Sequence, residues 1–443
     1  MSGVEPIRVA IACQGGGSHT AFTAGVLSRL FQPDVLSRYK VVAMSGTSGG
    51  AICALIAWSA LLADDPQRAE KLLAQFWSDN SASTPPERLL NAWIQWASQL
   101  SSYVVTPAVS PYDTFTSDLA QQELRTLLER SVDFEELGQQ NTGLQADPEK
   151  PLLLLGAVDV VSGEFKAFDS RKGEITAEAV LASAALPTLF RAVHTGDGVY
   201  WDGLFSQNPP VRDLLDVGPD EIWVIRINPK ELAAEPRTVA QIADRRNELA
   251  GNLSLYQELH VIEKIDSMID DGILTGGKYR PVTVRMIEMA RLGPQAGTAS
   301  KLNRDPAFLD ELIAQGKTRA GEFVDALLFE QAWRAGDLDA LTGHFSDDCE
   351  IEAAPPFRPF PRQRGSGAVR LFVSQHLAGA VQVDLTRKQG AAERVTWQVR
   401  LRPVDSPGKG AGTDAGKDER LIGQAEAWFE AGKIVSIRLG ALP

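Results

Sequence analysis

The sequence predicts an α/β fold followed by a smaller α+β domain, and two repeated units near the N-terminus carry the first part of that prediction. Ile7–Cys13 is an apolar, β-branched run typical of a strand buried on both faces, and glycines 15–17 connect it to a helical pattern over 21–30. Val41–Met44 repeats the unit, since it enters a glycine-rich turn and continues into the helical pattern 51–63. Successive strand–turn–helix units predict a mostly parallel sheet between layers of helices.

The pattern then changes several times along residues 64–320. Residues of about 64–141 show helical spacing and predict a cap on the sheet. Strand character returns at 151–161, 164–169, 221–227 and 281–289, with a long helical pattern at 239–271 and another near 307–318. The α/β core is expected to close near residue 230, with the later elements beside it, and we assign residues 1–320 to one α/β domain.

Residues 321–443 have a different organisation. A helix is predicted at 322–335, and four strand-like runs lie between 381 and 439, so this part is expected to form an α+β domain of its own. The segment 403–419 is rich in glycine, proline and charge, which is typical of a flexible hairpin tip.

Composition excludes several classes of protein. With 44% hydrophobic residues the chain of 443 residues is not globally disordered, and a net charge of −13 disfavours binding to nucleic acid. Three cysteines without metal-ligand spacing suggest a reducing compartment and no metal site. The first residues lack the pattern of a signal peptide, and the uncharged stretch 41–63 contains a Ser-Gly-Thr-Ser-Gly-Gly turn, so we expect a cytoplasmic protein.

A candidate nucleophile lies between the second strand and its helix. Gly46-Thr47-Ser48-Gly49-Gly50 fits the pattern G-x-S-x-G, in which glycines permit a sharp turn that presents the serine hydroxyl at the edge of the sheet. The pentapeptide alone also suits an ordinary strand-to-helix turn. Its position between a buried strand and a helix favours a nucleophile elbow with Ser48 at its centre.

The loop Gly15-Gly16-Gly17 also ends a strand and opens a helix, where backbone N–H groups can bind an anion. Next to a nucleophilic serine it would serve as an oxyanion hole. A dinucleotide-binding loop would need glycine at the position of Thr20, and no P-loop lysine follows. The sequence therefore predicts no cofactor.

A serine nucleophile needs a base, and the order of motifs argues against a histidine. Only five histidines occur, and the elbow follows a single βα unit, whereas α/β-hydrolases place several strands before it. Tyr200-Trp201-Asp202-Gly203-Leu204 is a polar turn after a short apolar run. Asp202 could lie at the sheet edge there and take the proton of Ser48 directly.

Taken together, these segments resemble the patatin-like phospholipases. The resemblance rests on the following ordered segments: QGGGSHTAFTAGVL (14–27), SGTSGGA (45–51), ASAALPTLF (182–190), Trp201-Asp202-Gly203 and Asn208-Pro209-Pro210. They lie within residues 7–230, and the resembling domain is taken to extend over about 7–320. The resemblance implies a three-layer patatin-like fold, Ser48 as nucleophile, Asp202 as general base and the 15–17 backbone as oxyanion hole, with no metal.

This chain departs from the family pattern at three positions. The glycine loop of the family usually continues with a basic residue and a glycine, where this chain has His19 and Thr20, and the aspartate motif usually ends in Gly or Ala, where it has Leu204. These changes remove no catalytic atom, but they bear on the geometry of the oxyanion loop and on the choice of substrate.

Residues of about 322–439 resemble the SnoaL-like and nuclear transport factor 2-like cone in their helix, the Gly336-Asp337 turn, the run HFSDDCEIE (344–352) and the closing strands. Such domains serve as small-molecule pockets or as dimerisation modules, and fold alone does not decide between them. A homodimer through this domain is one expectation.

The leading interpretation is a serine lipid acyl hydrolase that cleaves carboxylic esters of lipids or phospholipids and contacts lipid surfaces transiently. Two alternatives stay open from the sequence. An acyltransferase would use the same dyad with an alcohol in place of water, and a non-catalytic lipid-binding scaffold would keep the fold without the reaction. Intact Ser48 and Asp202 argue against the scaffold.

Overall fold

The computed structural model describes residues 5–92, 110–138, 147, 149–187, 189–232, 234–275, 279–290, 292, 298–377, 381–391, 394–403, 421–430 and 432–441. By its internal contacts the chain divides into two compact units, Met1–Ala320 and Gly321–Pro443. The expected hairpin tip at 403–419 lies outside the described residues except for its first residue, and so do parts of the expected cap, at 93–109 and 139–141.

The described strands of the first unit form one mixed sheet. Its strands are β1 Ile7–Cys13, β2 Tyr39–Gly46, β3 Leu152–Asp159, β4 Phe165–Asp169, β5 Val193–Thr195, β6 Gly198–Asp202, β7 Glu221–Arg226 and β8 Thr283–Glu288. The order is β5-β6-β3-β2-β1-β7-β8, with β4 paired to β3 outside this path. Strands β3, β2, β1, β7 and β8 run parallel, while β4, β5 and β6 pair antiparallel. The fold is therefore α/β with a mostly parallel central sheet, as predicted.

Helices cover both faces of this sheet. They are α1 Ala21–Leu30, α2 Pro33–Leu36, α3 Gly49–Leu62, α4 Arg68–Asp79, α5 Phe115–Ser131, α6 Ala177–Ser183, α7 Val239–Asp270, α8 Thr298–Lys301 and α9 Pro306–Ala335. Helix α7 buries Leu255 and Ile262 against one face, where Ala10 and Ala12 of β1 also lie. Helix α3 packs on β1, β2 and β3. Because alternate residues of a strand point to opposite faces, β1 is buried on both, with Val9–Cys13 fully inaccessible.

A buried ion pair supports the parallel strands at their N-terminal ends. The Arg285 guanidinium donates two hydrogen bonds of 2.7 Å to the Glu221 carboxylate, and the Trp223 indole donates a third to it. Glu221 and Arg285 are 6% and 3% exposed, so the pair is shielded from solvent. The pair connects β7 to β8. Because β8 ends at Glu288, the sheet does not close near residue 230 but includes a later strand.

One prediction about helix boundaries is wrong. The separate helices expected near 307–318 and at 322–335 form the single helix α9, which extends from Pro306 to Ala335. Between them the sequence has alanine and glycine but no proline, so each residue still donates its backbone hydrogen bond and the helix continues. Among the described residues, no helix combines the length and apolar character needed to cross a membrane.

The second unit is an α+β arrangement of its own. After α9 it contains α10 Leu338–Gly343, β9 Phe345–Ala353, β10 Phe360–Arg364, α11 Ser366–Phe372, β11 Val381–Ala391, β12 Arg394–Pro403, β13 Leu421–Glu430 and β14 Lys433–Gly440. The strands form one sheet in the order β10-β9-β14-β13-β12-β11. Phe329, Trp333 and Phe372 pack with Ile351 and Ile437 in its core.

Candidate active site

The serine turn connects the end of β2 to the start of α3, where the sequence places it. A Cβ at Gly46 would lie 2.5 Å from the Gly50 carbonyl oxygen, so no larger residue fits in this turn. Gly49 and Gly50 form the first turn of α3, and the fully buried Thr47 donates a 2.6 Å hydrogen bond to the Gln207 carbonyl. The turn is thereby tied to the segment that follows Asp202.

Ser48 itself has an unusual backbone conformation. Its φ is 56° and its ψ −132°, in a region that costs a non-glycine residue free energy and is held by the surrounding structure. The Ser48 N–H donates to both the carbonyl and the hydroxyl oxygen of Ser183, each at 3.1 Å. Ser48 is partly exposed, although its neighbours Thr47 and Gly49 are buried. Ser48 is therefore the residue of the turn 46–50 that solvent reaches.

Asp202 ends the antiparallel strand β6, which pairs with β3. Its N–H donates to the Ala185 carbonyl at 3.0 Å, and one carboxylate oxygen accepts the Leu204 N–H at 2.9 Å. Gly203 follows and packs directly on Gly156 of β3. These contacts fix the carboxylate at the edge of the sheet, where only 2% of the residue is exposed.

Ser48 and Asp202 are brought together in the fold, 154 positions apart in the chain. The Ser48 side chain lies close enough to the Asp202 carboxylate to lower its pKa. Burial has the larger effect and raises the pKa of Asp202 from 3.8 to about 7, against the interactions with the Ser48 side chain and the Leu204 N–H. None of the described hydrogen bonds of Asp202 involves a histidine. A carboxyl group whose pKa lies near neutrality is suited to take up and return a proton.

The glycine loop lies directly against the serine. A Cβ at Gly15 would be 2.9 Å from Ser48 Cβ and 2.6 Å from the Thr47 carbonyl oxygen. The Gly15 N–H donates a 2.7 Å hydrogen bond to Asn208 Oδ1. No residue that the structure describes accepts the N–H of Gly16 or Gly17. Of the three amides that the sequence assigned to an oxyanion hole, one is therefore already engaged and two are available.

The structure also shows what the unusual residues of this loop do. His19 is buried, its Nε2 lies 2.8 Å from Ser300 Oγ, and burial lowers its pKa to about 3, so it carries no charge at neutral pH. The Thr20 hydroxyl donates to the Gly17 carbonyl at 2.6 Å, next to Gly49 of the elbow. Leu204 packs on Gly251 of α7. The three departures thus stabilise the loops around the dyad through packing and neutral hydrogen bonds.

A polar network behind the glycine loop was not assigned a role from the sequence. Gln14 Oε1 accepts the N–H groups of Ile227 and Asn228, and its Nε2 donates to Asn252 Oδ1 at 3.0 Å. The Lys301 ammonium donates to Asn228 Oδ1 at 2.8 Å. The signal in the sequence is that Gln14 directly continues the apolar strand β1. The structure shows that the residue is completely buried. A buried amide at the end of a strand needs partners, and here those partners are other amides.

One comparison with known proteins covers the part of the chain that contains these residues. Residues 11–215 match the family model described as patatin-like phospholipase. The chain contains a patatin-like phospholipase domain. The match supports lipid acyl hydrolase activity in general. The patatin-like domain includes the glycine loop, the serine elbow and Asp202.

Solved structures similar to the chain resemble its C-terminal region. A putative polyketide cyclase from Sinorhizobium meliloti is 16% identical, with a TM-score of 0.20, over 26% of this chain and 92% of that chain. An NTF2-like protein of unknown function from Mesorhizobium loti is 19% identical, with a TM-score of 0.23, over 28% of this chain and 92% of that chain. No curated protein matches the chain.

Proposed function

We propose that the patatin-like domain hydrolyses carboxylic esters of lipids through a Ser48–Asp202 dyad and an acyl-enzyme intermediate. The observation that supports this most directly is that the Ser48 side chain interacts with the carboxylate of the buried Asp202, whose pKa is about 7. The strained backbone of Ser48 and its contact with the glycine loop add geometric support.

In the first step, Asp202 takes the proton of the Ser48 hydroxyl while Oγ forms a bond to the ester carbonyl carbon. Negative charge develops on the carbonyl oxygen, and the amides of Gly16 and Gly17 donate hydrogen bonds to it. Collapse of the tetrahedral intermediate breaks the bond to the alcohol, which leaves with the proton held by Asp202. The acyl group is then attached to Ser48.

In the second step, Asp202 takes a proton from water, and the resulting hydroxide attacks the acyl carbon. Collapse releases the fatty acid and returns the proton to Ser48 Oγ. Apolar side chains next to the base are suited to an acyl chain: Leu204 follows Gly203, and Phe205 is 49% exposed. An alcohol in place of water would make the same acyl-enzyme the intermediate of an acyl transfer.

The test is hydrolysis of a p-nitrophenyl ester chain-length series by the wild type, Ser48→Ala and Asp202→Asn, with circular dichroism to verify folding. We expect both folded variants to lose activity and the wild type to prefer longer acyl chains. Activity that survives Ser48→Ala would exclude this mechanism. Product analysis with added alcohols separates hydrolysis from acyl transfer.

A further inference from the structure

Two asparagines hold the two polar backbone groups of Gly15. The Gly15 N–H donates to Asn208 Oδ1 at 2.7 Å, and Asn228 Nδ2 donates to the Gly15 carbonyl oxygen at 3.4 Å. Asn208 lies six positions after Asp202, and Asn228 follows strand β7, so the clamp comes from two separate parts of the chain. The two peptide groups that flank the Gly15 Cα are thereby each held by one asparagine.

The position of Gly15 determines the position of the loop relative to Ser48. The space between Gly15 and the serine is already closed, because a Cβ there would meet the Thr47 carbonyl oxygen and Ser48 Cβ at 2.6 Å and 2.9 Å. A small displacement of Gly15 would therefore move the following amides relative to the reacting oxygen. Oxyanion stabilisation depends on donors that are held in place before the reaction.

Both asparagines are themselves anchored. Asn228 Oδ1 accepts a hydrogen bond from the Lys301 ammonium, and the Asn228 backbone N–H donates a hydrogen bond to Gln14 Oε1. The backbone N–H of Asn208 donates to Ser254 Oγ at 3.3 Å. The clamp therefore connects the glycine loop to β7, to helix α7 and to helix α8.

Of the two asparagines, Asn208 gives the stronger evidence that its side chain is there to hold Gly15. The residue is completely buried, and no described residue pairs with its Nδ2. A buried amide nitrogen without a partner destabilises the fold, so an apolar residue of the same shape would pack there at lower cost. The one bond that the side chain makes within the described chain is the bond to the Gly15 N–H.

We propose that Asn208 and Asn228 are positioning residues that clamp Gly15 so that the oxyanion is bound by Gly16 and Gly17. In this arrangement the Gly15 N–H serves to hold the loop and does not contact the oxyanion. The proposal rests on the proposed function, since it concerns the geometry of the same reaction.

The experiment compares hydrolysis of a p-nitrophenyl ester with that of the matching thionoester, whose sulfur accepts hydrogen bonds more weakly than oxygen. The variants are Asn208→Leu, which keeps the branched arrangement of side-chain heavy atoms and removes the acceptor, and Asn208→Asp, which keeps the acceptor. Asn91→Ala is the control, because Asn91 Oδ1 also accepts a backbone N–H, that of Arg304, at 2.9 Å. Ser48→Ala is measured in parallel.

We expect Asn208→Leu to lower kcat on the ester by about 10-fold to 100-fold with little change in KM, since small misplacements of catalytic groups have effects of this size. The loss on the thionoester should be smaller. Asn208→Asp and Asn91→Ala should keep the wild-type ratio of ester to thionoester rates. Asn228→Ala provides a second variant with the same expected direction.

The proposal would be overturned by an equal loss of kcat on the ester and the thionoester, or by an unchanged kcat in folded Asn208→Leu and Asn228→Ala. If neither Asn208→Leu nor Asn228→Ala folds while Asn91→Ala does, the asparagines are structural and the proposal is likewise overturned. Ester hydrolysis that persists in Ser48→Ala would instead refute the proposed function, so the two failures are distinguishable.

Discussion

Replacing Asp202 by asparagine should abolish hydrolysis and at the same time stabilise the protein above pH 7. The carboxylate is 2% exposed, and burial raises its pKa from 3.8 to about 7. Each pKa unit corresponds to about 1.4 kcal/mol, so the ionised carboxylate destabilises the folded chain by about 4 kcal/mol. Asparagine keeps the size and the accepting oxygen but carries no charge. Because the amide is also polar and buried, we expect a net gain of about 2–4 kcal/mol.

The direction of the pH dependence follows from proton uptake. Between about pH 4 and pH 7 the folded wild type keeps a proton on Asp202 that the unfolded chain has lost. Stability of the wild type from this group is therefore present at low pH and is lost as the pH rises through about 7. Asp202→Asn lacks this dependence. The amount by which the variant is more stable than the wild type should therefore be small near pH 5 and reach its full size near pH 8.5.

The assay is thermal unfolding of the wild type and of Asp202→Asn from pH 5 to pH 8.5, followed by circular dichroism. We expect the difference in Tm to increase by about 3–6 °C over this range. Asp159→Asn is the matched control, because hydrogen bonds from Ser162 and Val161 lower the pKa of this exposed carboxyl, and its difference from wild type should stay constant. A constant difference for Asp202→Asn as well would refute the reasoning.

Three further predictions concern the same domain. Ser48→Gly and Ser48→Ala should both be inactive, but the glycine variant should be more stable by about 1 kcal/mol in urea unfolding, because φ at this position is 56°; equal stabilities would contradict strain at Ser48. Arg285→Met leaves Glu221 as an unpaired buried charge and should destabilise the domain by about 3 kcal/mol, and a loss below about 1 kcal/mol would show that the pair is unimportant. The pH profile of kcat/KM should increase with a midpoint of about 7, since Asp202 acts as a base only when ionised; a midpoint near 4 would exclude its raised pKa.

Much of the fold could be predicted from local sequence. Strand β1 and the elbow are short, contiguous patterns, and the structure has them within a residue or two of the predicted bounds. The continuous apolar run of a strand buried on both faces and the glycines of a tight turn act through neighbouring residues, so a single sequence displays them. Helix α9 was predicted in two pieces because a glycine near its middle weakens the helical pattern without ending the helix.

The tertiary contacts that support the glycine loop could not be predicted from the sequence. Asn208, Asn228 and Lys301 come from distant segments, and only the arrangement of the strands shows that they meet behind the glycine loop. The engaged N–H of Gly15 could not be anticipated either, since three successive glycines look equivalent in a sequence. In the structure they differ in their tertiary hydrogen bonds, because the N–H of Gly15 is engaged by Asn208.

The neutral state of His19 changes how this loop can stabilise negative charge. A cation at that position would attract the oxyanion from a distance and tolerate some misplacement, because Coulomb attraction falls slowly with distance. His19 is uncharged at neutral pH, since burial lowers its pKa to about 3. In the proposed mechanism, stabilisation then depends on short hydrogen bonds from amides, whose strength falls steeply with distance and angle. A loop that relies on such donors needs a rigid support, and the asparagines on both sides of Gly15 supply it.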